Sequence, residues 1–330
     1  MSLDFLSAFL VFGLFYVVMV IGLALLLHLQ LGLAGIGNFG VVGFWGIGMY
    51  AFGVAFVQVD WPFGPIPALL VSMLIGAVVA AFAGLVVGWL ISDLDIDGTL
   101  VGTLGFATIV WILVTTQVSL TEGARGMGGL NLPFDIGTQK DNETLWLGVL
   151  LVIVIAVLYY VGRVHRVPYG RLLIAVGGNE PLGRSLGKST YRTKMSLFVV
   201  GSAGMGLLGA LYGMMLHFLT PNFVSIEITL AAMVGLVLGG SQRVWGAVIG
   251  VLLTAGLFDI VIQVYAPLPD DLFLQAIPVL RQMLFGLTLI LVLMFRPLGI
   301  LGPMRRDKLM RSMHPEDDEA LQEATLEDAP

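Results

Sequence analysis

Long apolar segments alternate with short polar breaks along almost the whole chain. The breaks at 60–65, 92–95, 220–222 and 267–271 contain the Pro, Gly, Asn, Asp and Ser residues that are typical of turns. A helix needs about 20 predominantly apolar residues to cross the hydrocarbon core of a bilayer. The pattern therefore predicts an all-α polytopic membrane protein with about nine transmembrane helices, at 5–27, 32–57, 66–91, 98–120, 144–162, 193–218, 226–241, 245–265 and 279–296. Because the segment 226–241 is short and glycine-containing, a count between eight and ten is expected.

The distribution of Lys and Arg predicts the orientation of these helices. No Lys or Arg precedes Arg125, seven lie between Arg163 and Lys194, and five lie between Arg296 and Arg311. Because cytoplasmic loops collect Lys and Arg, both clusters are predicted to be cytoplasmic. Four predicted helices separate the clusters, which allows both to lie on one side. With nine helices, a cytoplasmic C-terminus puts the N-terminus outside.

The composition agrees with a membrane protein and excludes several other classes. Apolar residues make up 58% of the 330 residues and charged residues 12%, with a mean hydropathy of +0.96. Since soluble domains carry about 25% charged residues, this chain cannot cover a soluble surface. A soluble enzyme, a nucleic-acid-binding protein and a disordered chain are therefore excluded. The absence of Cys also excludes disulfides, thiolate zinc sites and a cysteine nucleophile.

The two ends of the chain differ in character. Residues 312–330 contain seven acidic residues and no Lys or Arg, which is typical of a solvated, disordered tail. We therefore predict a transmembrane domain at 1–303 and a charged cytoplasmic tail at 304–330. At the other end, Asp4 is the only early charge, so the first apolar segment is expected to remain a membrane helix and not to be a signal peptide.

Glycine is concentrated between residues 32 and 53, where Gly37, Gly40, Gly43 and Gly46 recur at every third position. A continuous helix does not favour this, because each Gly costs up to about 1 kcal/mol relative to Ala. Two interpretations remain open. The glycines could let helix backbones pack closely, or the segment could be interrupted, with unwound backbone and Asn38 lining a polar cavity in the membrane.

Four other glycine pairs have the spacing that brings helices into close contact. Each pair is separated by three residues, which puts both glycines on one helix face. These pairs predict a compact bundle and do not by themselves indicate a function: Gly84/Gly88, Gly98/Gly102, Gly209/Gly213 and Gly246/Gly250.

Ionisable residues within the apolar segments are few. Glu227 and Asp259 are the acids nearest to membrane depth, and such groups are candidates for function. Glu227 follows a turn and is expected to cap a helix at the outer interface. His28 and His217 are isolated near the ends of apolar segments and are expected at the membrane interface. No spacing of His, Asp and Glu indicates a metal site.

The basic segment 163–190 is amphipathic, helix-prone and too polar to cross the membrane. It is interpreted either as a cytoplasmic docking element or as an interfacial helix lying on anionic lipid.

Residues 183–189 imitate a P-loop, but three residues separate the glycines where the motif needs four, and no strand precedes them. Nucleotide binding by this chain is therefore excluded.

The same segment carries a resemblance to a known family. Pro168-Tyr169-Gly170-Arg171, Ala175, Asn179-Glu180 and Leu186-Gly187 resemble the coupling segment of the branched-chain amino-acid ABC-importer permeases, in particular their LivM-type subunits. The similarity continues in order over about 270 residues, through 31–50, 103–107, 121–133, 201–213, 221–240 and 285–302.

The resemblance implies a non-catalytic transmembrane half of an ABC importer in a bacterial or archaeal plasma membrane. Its partners would be a LivH-like second permease, two cytoplasmic ABC ATPases that use ATP and Mg²⁺, an external solute-binding protein and membrane lipid. The chain itself would bind no cofactor and no nucleic acid. The coupling segment, 163–192, would include the ATPase-docking residues Gly170, Arg171, Asn179, Glu180, Arg184 and Gly187.

On this resemblance the solute would pass between helices of the two permeases. Branched-chain or related amino acids, or similar small amides, would be carried. The pathway is expected to be lined by residues of the glycine-rich segment and of the fourth predicted helix: Gly37, Asn38, Gly40, Gly43, Thr103, Gly105 and Phe106.

The chain departs from the family pattern at two places. Pro181, Leu182 and Gly183 stand where small residues, often two Ala, follow the Glu of the coupling segment, and Val41 stands where a His is frequent. The first departure would change which ATPase the coupling segment pairs with. The second would fit a substrate other than a standard branched-chain amino acid, such as urea or a short amide. Two further alternatives stay open: an ATPase-independent secondary transporter or channel, which would need Glu227 or Asp259 for ion coupling, and a purely structural membrane subunit.

Overall fold

The computed structural model describes residues 3–130, 139–185, 187–260 and 299–302, together with a few isolated residues between 283 and 294. The predicted helix at 279–296, the tail at 304–330 and the side chain of Asp259 lie outside the described residues. Within the described part the chain is all-α, as predicted, and its only strand-like pairing is a single antiparallel bridge between Met127 and Leu219.

Eleven α-helices follow one another in the described residues. Their bounds are α1 Leu3–Leu27, α2 Val41–Val57, α3 Pro65–Leu90, α4 Ile96–Thr116, α5 Val118–Thr121, α6 Gln139–Arg166, α7 Pro168–Gly178, α8 Glu180–Ser185, α9 Thr190–Leu216, α10 Ile226–Gly239 and α11 Val244–Val251. Helices α1 and α11 continue as π-helical turns at His28–Leu33 and Leu252–Ile260, and 3₁₀ turns lie at Gly123–Arg125 and Pro221–Phe223.

Eight of the nine predicted membrane segments are helical here. Six are long and apolar enough to cross a bilayer by length and composition: Val11–Leu33, Pro65–Leu90, Ile96–Thr116, Asp141–Arg166, Thr190–Leu216 and Pro221–Gly239. Two more, Val41–Val57 and Val244–Gly256, are apolar but shorter.

The predicted span 32–57 is not one continuous helix. Residues 34–40, here called the α1–α2 break, have no helical structure, and α2 begins only at Val41. Gly35 has a φ of +65°, a left-handed conformation that an L side chain rarely adopts. The non-helical backbone of the second interpretation is therefore observed, but Asn38 is fully buried and lines neither described cavity, and the glycines of α2 pack closely as in the first interpretation.

Helices α2, α3 and α9 make the most extensive helix contacts of the described bundle, and glycine makes their close approach possible. A Cβ on Gly76 of α3 would lie 2.6 Å from the carbonyl oxygen of Gly48 in α2, and Gly48 itself lies against the backbone of Gly206 in α9. Gly84 and Gly88 of α3 likewise leave room for Ser202 and for Met195 and Phe198 of α9. Without side chains at these points the backbones approach closely, as expected for membrane helices.

The other predicted glycine pairs divide into two kinds. Gly246 and Gly250 of α11 lie against the backbones of Gly239 and Gly235 of α10, so this pair joins two helices as predicted. Gly209 contacts α2 through Trp45, and Gly213 is close to Met49. The prediction for Gly98 and Gly102 is wrong: a Cβ there would meet only Leu94 and Ile91 in the turn just before α4.

The outer surface of the bundle is apolar. Leu74, Phe82 and Trp89 recur on one face of α3 and are 62%, 66% and 64% exposed, whereas the opposite face carries the glycines that pack on α9. Burying small residues and exposing large apolar ones is the reverse of a soluble helix. This arrangement is stable only where lipid or another membrane subunit covers the exposed face.

Candidate functional site

The α7–α8 segment, residues 168–185, is the amphipathic element predicted from the sequence. Pro168 begins α7, and Leu173 and Val176 are buried beneath it, while Arg171 and Ile174 are exposed on the other side. The predicted coupling segment 163–192 also includes the last turn of α6 and the first turn of α9. The structure thus holds a helix with a fixed inner face and a free outer face outside the long apolar helices.

Three neighbours hold the α7–α8 segment in place. Gly170 lies against the carbonyl group of Val164 at the end of α6, which leaves no room for a side chain. On the α9 side, the hydroxyl of Tyr169 donates to the carbonyl oxygen of Thr193 at 3.1 Å and lies 2.7 Å from the hydroxyl of Ser196. The third neighbour is the α1–α2 break, where a Cβ on Gly177 would lie 2.6 Å from the carbonyl oxygen of Leu33.

Glu180 is the electrostatic centre of this segment. Its carboxylate accepts a hydrogen bond from Arg184 at 2.8 Å and another from Lys194 of α9. Burial by itself would raise the pKa of Glu180, but the hydrogen bonds from Lys194 and Arg184 outweigh it and hold the pKa below its usual range. Glu180 therefore ties α8 to α9 as a charged group.

The remaining predicted coupling residues are accessible. Arg171, Asn179 and Arg184 are exposed, and Gly187 is exposed with a φ of +71° in the turn before α9. Of the six predicted coupling residues, Gly170 faces inward, and the others lie at or near the outer surface.

The α1–α2 break is closed by buried polar side chains. The Asn38 amide donates to the Gln30 side-chain oxygen at 2.7 Å and accepts from the Gly40 backbone N–H at 2.7 Å. The Thr103 hydroxyl oxygen of α4 accepts from the Phe39 backbone N–H at 2.9 Å. Because unwound backbone in a membrane must find hydrogen-bond partners within the protein, these side chains are what allow the break to exist.

Two residues that the sequence interpretation missed complete this network. Gln30 donates to the carbonyl oxygen of Phe198 in α9 at 3.2 Å, and the Thr229 hydroxyl of α10 accepts from the Val42 backbone N–H at 3.0 Å. Both side chains are fully buried. The available signal was an amide or hydroxyl within an apolar run, since such a group needs a partner at membrane depth.

Most of the predicted pathway residues meet at one contact, between α4 and the chain from the break into α2. A Cβ on Gly37 would lie 2.7 Å from Leu100, one on Gly40 would lie 2.9 Å from the Thr103 carbonyl oxygen, and one on Gly43 would lie 2.8 Å from Phe106. Gly105 lies apart, on the exposed side of α4, where nothing lies within 4 Å. Asn38 and Thr103 have no exposed surface in the single chain.

A cavity of about 270 Å³ lies where the break and the α7–α8 segment meet. Its wall includes Gly35, Ile36 and Gly177, and also the Glu180–Lys194 ion pair and Asp95 before α4. None of the seven predicted pathway residues lines it. The cavity therefore borders both the coupling element and the break without being the predicted pathway itself.

The sequence predictions for His28, His217 and Glu227 agree with the structure only in part. His28 is not isolated: it is fully buried within the chain, with its Nε2 2.9 Å from that of His165 and its Nδ1 2.7 Å from the carbonyl oxygen of Ser241. The sequence did not indicate this contact, because 137 residues separate the two histidines. His217 ends α9 and Glu227 lies exposed in the first turn of α10, both near helix ends as predicted.

Comparison with known proteins gives consistent results. A family model described as the permease component of the branched-chain amino acid transport system matches residues 5–293. The high-affinity branched-chain amino acid permease LivM of Escherichia coli is 28% identical over 87% of this chain and 68% of its own length. A probable LivM permease of Methanocaldococcus jannaschii is 26% identical over 94% of this chain and 99% of its own. The ribose import permease RbsC of Bacillus subtilis is 28% identical over 62% of this chain and 70% of its own. No solved structure matches the chain significantly.

Proposed function

Because the chain belongs to the family of branched-chain amino-acid transport permeases, we propose that it forms one transmembrane half of an ABC importer for branched-chain or related small amino acids. It is a multi-pass protein of a bacterial or archaeal plasma membrane. In the proposed importer this subunit is non-catalytic. It forms half of the pathway with a second, LivH-like permease, receives solute from a binding protein, and couples to two ATPases that hold ATP and Mg²⁺.

The observation that carries this proposal is the placement of the α7–α8 segment. Its outer face presents Arg171, Ile174 and Asn179 for docking, and its inner face packs on the α1–α2 break through Gly177. A movement imposed on the outer face by an ATPase is passed directly to the break, because backbone touches backbone with no flexible side chain between. The segment thus has the form of a mechanical coupling element.

The proposed topology rests on the contacts of His28 and on the charge of the α7–α8 segment. The end of α1, the end of α6 and the turn after α10 meet around His28, His165 and Ser241, so these chain ends lie on one side. The α7–α8 segment directly follows α6 on that side, and the Lys and Arg cluster of 163–194 assigns it to the cytoplasm. Nine helices with an external N-terminus and a cytoplasmic C-terminus then complete the proposal.

The proposed pathway lies next to the contact between the break and α4. In the single chain Gly40 is closed against Thr103, and Gly43 is closed against Phe106. Solute passage therefore requires α4 to move relative to α2, or a second permease to complete the wall. Alternating access by such a rearrangement is the expected mode for an importer of this kind. Val41 is fully buried in this arrangement.

An ATPase-independent transporter is the less favoured alternative. It would need a carboxylate at membrane depth for ion or proton coupling. Among the side chains that the structure describes, no Asp or Glu is buried, and Glu227 is exposed at a helix start. The side chains that the structure describes therefore supply no coupling acid.

Affinity purification from the native membrane tests the proposal most directly. The tagged chain is extracted gently, and the proteins that accompany it are identified by mass spectrometry. We expect a second permease and one or two ABC ATPases. A chain that purifies alone and still transports amino acids without ATP would overturn the proposal.

The Glu180→Lys variant tests the coupling role separately. The reversed charge faces Arg184 and Lys194 and should displace α8 from α9. We expect normal membrane insertion with loss of uptake. Uptake at the wild-type rate would exclude coupling through this segment.

A further inference from the structure

A basic groove lies at the end of α6, away from the α7–α8 surface and the break. It has a volume of about 760 Å³ between the last turns of α6 and the beginning of α11. Among the described residues that line it, three are arginines and none is acidic; these residues are Leu158, Tyr159, Gly162, Arg163, His165, Arg166, Gln242, Arg243, Val244, Trp245, Ile249 and Leu301. Its charge therefore favours an anionic ligand.

The groove is continuous with the lipid-facing side of α6. Val152, Ile155 and Tyr159 are 67%, 60% and 73% exposed, and they follow one another at the i, i+3, i+7 spacing of one helix face. The same face then reaches Gly162, Arg163 and Arg166, which are the next residues at that spacing. One helix surface thus passes from apolar side chains to arginines within two turns.

The shape of the groove fits a lipid headgroup. Gly162 has no side chain and nothing within 4 Å of its Cβ position, so the groove floor is open between Tyr159 and Arg166. Trp245 at the start of α11 is 61% exposed on the other wall. Exposed Tyr and Trp side chains at helix ends mark the depth of lipid headgroups. The arginines therefore lie where a phosphate would be, and the apolar face of α6 lies where an acyl chain would be.

We propose that this groove binds the phosphate headgroup of an anionic phospholipid, with the lipid's acyl chain along Val152, Ile155 and Tyr159. Arginine binds phosphate oxygens through its planar, forked donors. Basic pockets between membrane helices are recognised sites for anionic headgroups. The proposal depends neither on the importer assignment nor on which leaflet the groove faces, because it rests on the contacts of α6 and α11 alone.

Fluorescence quenching by brominated lipid tests the proposal. The full-length chain, with the subunits that accompany it, is reconstituted in phosphatidylcholine vesicles. The vesicles contain a minor fraction of either brominated phosphatidylglycerol or brominated phosphatidylcholine. The Trp245 signal is isolated by subtracting that of the Trp245→Phe variant. We expect brominated phosphatidylglycerol to quench Trp245 more strongly than brominated phosphatidylcholine at the same mole fraction.

Two exposed arginines provide the variants and a third provides the control. Arg163→Gln and Arg166→Gln should each lower the apparent affinity for phosphatidylglycerol about fivefold, the usual contribution of one basic residue at a membrane surface. Arg192→Gln removes the same charge from the exposed first turn of α9, outside the groove, and should leave the quenching unchanged.

Several outcomes would overturn the proposal. Equal quenching by the two brominated lipids, or equal effects of the three Arg→Gln variants, would exclude a headgroup site. A preference for phosphatidylglycerol that appears only after residues 312–330 are deleted would identify the acidic tail as the occupant. Loss of the preference in phosphate buffer, compared with chloride at equal ionic strength, would indicate a site for free phosphate.

Discussion

Gly35 and Gly177 lie backbone against backbone, which joins the α1–α2 break to the α7–α8 segment. A Cβ on Gly35 would lie 3.0 Å from the carbonyl oxygen of Gly177. The two residues are 142 positions apart in the chain. A change in either segment is transmitted here, and the following predictions use this relationship.

Gly177→Ala should uncouple ATP hydrolysis from uptake. The added methyl would lie 2.6 Å from the Leu33 carbonyl oxygen, so the α7–α8 segment must shift away from the break. We expect assembly with the ATPases to persist while amino-acid uptake in reconstituted vesicles falls at least severalfold.

Gly178→Ala is the matched control for this prediction. Gly178 is the next residue of α7, and nothing lies within 4 Å of its Cβ position. Both substitutions gain helix propensity alike, so only the contact with the break differs. Similar uptake in both variants would show that the Gly177 contact is not used in coupling.

Asn38→Ala should destabilise the break. The substitution leaves the Gln30 side-chain oxygen and the Gly40 N–H without their partner in a fully buried site. An unsatisfied buried group costs about 1–3 kcal/mol, and thermal unfolding in detergent should shift to a lower temperature. Asn222→Ala, at an exposed turn, serves as the control; an equal shift in both variants would contradict a structural role for Asn38.

Gly43→Leu should disrupt the contact between α2 and α4. A side chain at this position has Phe106 at 2.8 Å and the Ala107 backbone at 3.0 Å, so the two helices must separate. We expect a lower yield of folded protein in size-exclusion chromatography and loss of uptake. Gly148→Leu on α6 has open space and should behave as wild type. Normal yield and uptake for Gly43→Leu would contradict the close approach.

The stabilisation of the contact between α8 and α9 by the Glu180–Lys194 ion pair should depend on pH. Because the pKa of the folded carboxyl lies below its unfolded value of about 4.3, its stabilisation is complete above that value. It is lost as the pH falls through the lower folded value. We expect the protection factors of the α8 amides to fall on acidification below about pH 4, when hydrogen exchange measured by mass spectrometry is corrected for the pH dependence of the intrinsic exchange rate.

Glu180→Gln isolates this effect. The amide keeps the size of the side chain but cannot form ion pairs with Arg184 and Lys194. Its α8 amides should have lower protection factors than the wild type at neutral pH and show no additional decrease in acid. An identical pH dependence in wild type and variant would mean that another group is responsible.

Much of the fold could be predicted because each membrane-spanning segment must itself be long and apolar, which is a local property of the sequence. Apolar runs, turn residues in the breaks, and an amphipathic basic segment are all local features, and eight predicted segments are helical where expected. The family resemblance was likewise carried by short motifs in order, and the match over residues 5–293 confirms it. The α7–α8 segment was predicted for the same reason, as a local alternation of Leu173 and Val176 with exposed residues.

Other features could not be predicted because they depend on distant partners. Whether the span 32–57 is continuous stayed open at the level of sequence, since hydropathy does not report backbone conformation. Its break exists only because Thr103, Thr229 and Gln30 supply hydrogen bonds from three other parts of the chain. The spacing of Gly98 and Gly102 was correct for packing, but the partner proved to be the preceding turn.

The sequence by itself determined that this chain crosses a membrane many times, where most of its membrane helices lie, and which family it belongs to. Composition, charge distribution and short motifs are sufficient for these because lipid acts on each segment separately. The tertiary structure alone decided that the break contacts the α7–α8 segment, that His28 meets His165, and that Arg163 and Arg243 face one groove. These contacts join residues far apart in the chain, and only the packing of helices brings such residues together.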